Sequence, residues 1–241
     1  GNVIRKIKTD PVQGVNRIQW DFRYSPFTAV SLEPFDNSVP WNDPDRGYMV
    51  APGTYKVSLS KFVDGTFTEL VPTQSFVCKP LYNSSLTAEE QATLDQFNKK
   101  VASMTRAISG ADAYRQSLSD KIEYLQKSVI EGANVPDSIY NSVLSLKQQL
   151  ETFNRSLNGD PLIARYEGGS PTSVKARVDL ITYALWTTTA APTTTFKQSY
   201  DVAADQFGGL LDQLKVIDNN VRALESKLEK FKAPSTPGRF P

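Results

Sequence analysis

The sequence predicts an α+β chain in two domains: an N-terminal immunoglobulin-like β-sandwich, lacking its first strand, and an up-and-down four-helix bundle with long first and last helices. Three observations lead there. The composition changes near residue 80, from Gly, Pro, aromatics and alternating runs to Leu, Gln, Lys, Glu and Ser at helical spacing. The stretch "GVNRIQWDFRY" (14–24) alternates on a period of two, with Ile18, Trp20, Phe22 and Tyr24 on one face and Arg17, Gln19, Asp21 and Arg23 on the other. Finally, two long apolar seams recur at alternating intervals of three and four in the second part.

The β elements follow in order. "NVIRKIKT" (2–9) reads as a short strand and "PVQG" (11–14) as a turn in which Gly14 is free to adopt positive φ. The alternating strand comes next, its Trp20 expected in the core, so that Trp20→Ala should cost roughly 3–5 kcal/mol. A Pro-rich loop runs from Pro26 to about Gly47 and holds "WNDPDRG" (41–47). "APGTYKVSLSKF" (51–62) turns Tyr55, Val57 and Leu59 inward, "DGT" (64–66) signals a hairpin, and "FTELVPTQSFVCK" (67–79) returns, with Pro72 marking a break or an edge. Short antiparallel strands divided by such turns predict the sandwich.

Helical spacing starts after a capping box, Thr87 with Glu90 three residues on. Leu94, Phe97, Val101, Met104, Ile108, Ala111, Leu118, Ile122, Leu125 and Val129 form the first seam, interrupted at Arg115; such a helix is on the order of 60 Å long. A second helix, opened by Pro136, turns Tyr140, Val143, Leu146, Leu150, Phe153 and Leu157 inward. A third, from about Pro171 to Thr188, buries Val174, Val178, Ile181 and Leu185. The fourth carries the second long seam, from Phe196 to Phe231. The predicted division is 1–80 sandwich, 81–87 linker, 88–232 bundle and 233–241 Pro-rich tail with no seam left to bury.

Chemistry is sparse. The chain has no histidine, which removes Ser-His-Asp and Cys-His catalysis and most transition-metal sites. Its one cysteine, Cys78, reads as a small buried hydrophobe. With 27 Lys and Arg against 26 Asp and Glu, net charge +1 gives no electrostatic case for nucleic acid or an anionic membrane. No apolar run approaches a bilayer span. Phosphate loops, dinucleotide glycines and zinc spacings are absent from the sequence, and the Gly pairs at 168–169 and 208–209 follow no strand. Asn42, Asp43 and Asp45 could offer oxygens to calcium and Trp41 could stack on a sugar, but Asp, Asn and Pro are also what turns use. Trp41, Asp43 and Asp45 are thus the candidate ligand contacts, with no catalytic, cofactor-binding or metal residue assigned. Asn83 and Asn154 match the N-glycosylation pattern, which matters only in a eukaryotic secretory route.

The run "GNVIRKIKT…GVNRIQWDFRY…APGTYKVSLS…DG" resembles the immunoglobulin-like segment of many secreted bacterial proteins, including the flagellar hook-capping type. Joined to a helical bundle, it looks like the C-terminal region of the large bacterial sortilin-like proteins with Asp-box (BNR) β-propeller repeats, often labelled glycosyl hydrolases. The resemblance implies a strand before Gly1-Asn2, hence a chain cut just inside its β-domain, and a propeller upstream that would carry any ligand site. It transfers no catalytic residue.

The expected function is a non-catalytic structural or interaction module of a larger secreted, periplasmic or cell-surface propeller protein, without cofactor. Its expected partner is the upstream propeller of the same polypeptide, with no nucleic acid and no membrane span, and the module itself is a monomer. The alternatives are a carbohydrate-binding or hydrolase-associated module and a coiled-coil-like assembly module, which would dimerise.

Overall fold

The computed structural model describes residues 1–40, 45–81, 85–166 and 171–239. It contains a β-hairpin, β1 (Gly53–Val63) and β2 (Thr66–Cys78), followed by five helices: α1 (Ala88–Glu131), α2 (Asp137–Asn158), α3 (Pro161–Tyr166), α4 (Val174–Leu185) and α5 (Thr194–Lys230).

No immunoglobulin-like β-sandwich forms among the described residues: the one sheet is the two-stranded antiparallel hairpin, and the molecule is mostly helical. The predicted strands at 2–9 and 15–24 do not join a ladder. Ser25 N donates to Ile4 O (3.3 Å), and residues 22–24 meet 47–50 at one isolated antiparallel bridge, Arg23 with Met49, through Tyr24 N to Tyr48 O (3.1 Å), Val50 N to Phe22 O (2.8 Å) and Gly47 N to Tyr24 O (3.3 Å). The reason is local. Phe22 sits at φ 55°, a conformation that non-glycine residues seldom adopt, and this kink ends the alternation. Trp20 on one side of it and Tyr24 on the other join different aromatic clusters, while Ile18 and Phe22 stay 46% exposed.

The hairpin turns at Asp64 (φ 48°) and Gly65 (φ 78°), both left-handed as a two-residue turn matched to strand twist requires. The register shifts between Val57 and Leu59 and again between Leu59 and Ser60. Pro72 lies opposite the first shift, where the ladder is irregular and a residue without an N–H is best tolerated.

The bundle has three legs, not four. Phe97 meets Tyr200, Tyr114 meets Asp218, Lys121 meets Glu225 and Ser128 meets Pro234, so α1 and α5 run parallel. α2 descends against α1: Tyr140 and Lys147 reach Gln126, and Asn158 reaches Asp112. α4 then begins where α2 ends, Ser173 lying beside Gly159, and continues downward until Leu185 shares a cleft with Leu94. The two shorter helices are therefore one interrupted leg. Their lengths agree: 22 and 12 residues span about 33 and 18 Å, against about 66 Å for the 44 of α1 and 56 Å for the 37 of α5. The interruption has a backbone cause. Gly159, at φ 91°, closes α2 by donating its N–H to Arg155 O, and Asp160 and Pro161 start a new turn.

The core lies between the legs. Val101, Val143, Phe153, Leu157, Ile181, Ala203, Val221 and Leu228 are fully enclosed. The seam residues are buried as their spacing requires, apart from the half-buried ends at Leu94, Tyr140, Phe196, Tyr200 and Phe231. Ile139, one residue before Tyr140, takes the inward place. Thr87 and Glu90 form the capping box. The tail does bury surface: Ser128 Oγ donates to Pro234 O (2.6 Å), Ala233 and Thr236 are buried, and Arg239 pairs with Glu229 while donating to Ala233 O (2.8 Å). Among the described residues no helix is long and apolar enough to cross a membrane.

Candidate functional site: the junction of hairpin and bundle

The β-bearing segment meets the bundle through an aromatic cluster. Tyr48, 2% exposed, stacks on Tyr24 (centroids 4.4 Å) and Phe27 (5.8 Å) and leans on Trp186 (5.9 Å), the residue that caps α4. Such pairs add stability beyond the area they bury. Burial, then the neighbouring Tyr24, pushes the Tyr48 phenol well above its ordinary range, so it stays neutral. Arg23 ties the cluster down by donating to Trp186 O (2.7 Å) and Gly47 O (3.2 Å), and Ala29 N donates to Ser109 Oγ of α1 (2.7 Å). Gly47 is there for closeness: a Cβ would fall 2.6 Å from Ser25 O and 2.8 Å from Tyr24 O.

A second cluster holds the hairpin's base. Trp20 lies against Phe22 (5.0 Å), Tyr55 (5.7 Å) and Phe76 (6.1 Å), and its indole N–H donates to Arg23 O (3.0 Å). It is half-buried rather than enclosed. Burial first, then Tyr24 and Cys78, raises the Tyr55 phenol to about 12; its hydroxyl donates to Ala51 O (2.6 Å).

Between these clusters and the lower end of α1 and α4 opens a cleft of about 970 Å³, in the size range of small-molecule sites. Val50, Phe76 and Cys78 line one side, Leu94, Asn98 and Leu185 the other, and its surface is mainly apolar. Asn98 is the anomaly. It is 6% exposed on the inner side of α1, next to the seam residue Phe97, and its Oδ1 has no hydrogen-bond partner. An unmet buried acceptor costs on the order of 1–3 kcal/mol. The neighbouring Asp95 is already paired with Lys99 (2.6 Å).

Of the candidate ligand contacts, only Asp45 falls among the described residues. Trp41 and Asp43, with Asn42, are outside the described residues. Asp45 is exposed and accepts a hydrogen bond from the Thr28 hydroxyl, the role of a loop-holding carboxylate. Asn83 is also outside the described residues, and Asn154 bonds to Asn158 within α2. Among the described residues, no three His, Cys, Asp or Glu side chains gather to hold a metal. The cleft and Asn98 were missed; the one available signal was a polar residue directly after Phe97 at the seam's edge.

No protein-family profile, no curated protein and no solved structure matches this chain.

Proposed function

We propose that this chain is a non-catalytic structural and interaction module of a larger polypeptide: a stiff helical rod that holds a β-hairpin out for a protein neighbour. One observation carries the reading. Beyond its base, every residue of the hairpin is exposed, including Val57 (54%), Phe62 (56%), Val63 (55%), Phe67 (74%) and Leu70 (51%). A lone two-stranded hairpin is marginal in water, and apolar residues on both of its faces are a liability unless another surface covers them. The neighbour proposed is the β-propeller that the sequence resemblance expects upstream in the same polypeptide, in a secreted, periplasmic or cell-surface setting.

The same unpaired strand edges would serve self-assembly, so the oligomeric state discriminates. Sedimentation should give a monomer of 26.7 kDa. A concentration-dependent dimer favours the assembly reading instead. The deciding test is the native polypeptide, detected in its source cells with an antibody to this chain and captured with it. We expect a mass several times 26.7 kDa and hairpin amides that exchange far more slowly than in the isolated chain. A native species of 26.7 kDa with fast-exchanging hairpin amides overturns the proposal.

A further inference from the structure

We propose that the cleft beneath the hairpin is a binding site for a small apolar molecule bearing one hydrogen-bond donor, which the Asn98 carboxamide receives. Size, lining and an unmet polar group converge on this. The cleft holds about 970 Å³ and is walled by Val50, Phe76, Leu94 and Leu185, an environment that selects an apolar body. Asn98 lines it, lies buried on a rigid helix, and has an Oδ1 with no hydrogen-bond partner. Oδ1 only accepts, so what it lacks is a donor. Oδ1 is shut off from solvent as it stands, and the broad terminal torsion of asparagine is what turns it toward an entering donor. The ligand is not a cation: Asp95, the carboxylate on the same wall, is already matched by Lys99 at 2.6 Å and offers no free charge.

The chain supplies its own reporter, because Cys78 is its sole cysteine and lines the cleft. Two rigid probes of one shape separate the terms: carbazole carries an N–H where fluorene carries a methylene. On the full chain both should bind saturably and slow alkylation of Cys78 by iodoacetamide. Carbazole should bind about three- to tenfold more tightly than fluorene, the worth of one net hydrogen bond. In Asn98→Leu the two probes should bind alike, with fluorene undiminished. Failure of both probes to saturate or to protect Cys78 overturns the site. Equal binding of carbazole and fluorene to the unaltered chain overturns the role of Asn98, and that comparison stands even where the variant does not fold.

Discussion

At the scale of single residues, the junction depends on atoms that are absent as much as on those present. Gly47 lets the chain pass against the carbonyls of Tyr24 and Ser25, with 2.6 Å where a Cβ would be. Backbone cannot yield as a flexible side chain does, so Gly47→Ala should destabilise the β-bearing segment by about 1–3 kcal/mol, read as a lower melting temperature and faster alkylation of Cys78. Trp20 now carries less than the sequence suggested. Half-buried against three rings, it should lose about 1–2 kcal/mol on conversion to alanine rather than the roughly 3–5 of an enclosed core aromatic. Thermal melts followed by tyrosine and tryptophan fluorescence measure the difference. Glu90 gives a dependence on pH. The Thr87 backbone N–H (2.8 Å) and then its hydroxyl (3.0 Å) donate to its carboxylate and hold its pKa below the ordinary 4.5. Because the folded value is depressed, the capping contribution is present above the unfolded value and is lost as pH falls through the folded one. Melting curves taken from about pH 6 down to 3 should therefore fall less steeply for Glu90→Gln, whose neutral amide keeps an acceptor without the titration.

At the scale of elements, the helices and the hairpin were readable, while the strands expected at 2–9 and 15–24 did not form, for one physical reason. A helix closes its own hydrogen bonds within four residues, so the seams from Phe97 to Val129 and from Ala203 to Leu228 carry their structure locally. A strand needs a partner, and alternation states only that a face could be buried. Residues 15–24 alternate well, yet the turn at Phe22 and the lack of a ladder leave Val15 and Ile18 exposed. The Asp64-Gly65 turn was legible because its dihedral requirement belongs to two residues. Gly110 tests the local account. It lies inside α1 with nothing within 4 Å of where a Cβ would sit, so neither packing nor strain requires a glycine there. Gly110→Ala should stabilise the chain by about 1 kcal/mol in urea unfolding, with no change in the slope of the transition.

At the scale of the whole molecule, the number of legs was beyond reach of periodicity. Each seam shows a face but not which other seam it meets, and two short helices in series look in sequence like two in parallel. Only the pairings of Asn158 with Asp112 and of Leu185 with Leu94's end of α1 show them stacked. The candidate site suffers likewise: Asn98, Cys78 and Leu185 are brought together by tertiary packing, while the turn-forming residues near Asp45 drew notice by composition alone. Spin labels at Cys78 and at an introduced Ser235→Cys check the arrangement. Cys78 shares a cleft with Asn98 and Pro234 contacts Ser128, so roughly 45 Å of α1 should separate the labels. A four-leg return would bring them near one another.

An odd number of passes has a mechanical meaning. A chain that crosses a bundle an even number of times re-emerges where it entered, and a pull on its two ends peels the helices apart one at a time. Here the chain enters beside the hairpin and leaves at the opposite tip, so tension runs along the helix axes and loads every seam in shear at once. Under the function proposed above, that path suits a strut that sets a distance and resists extension, with Arg239 and Ser128 fastening its far end and the Tyr48 cluster its near one.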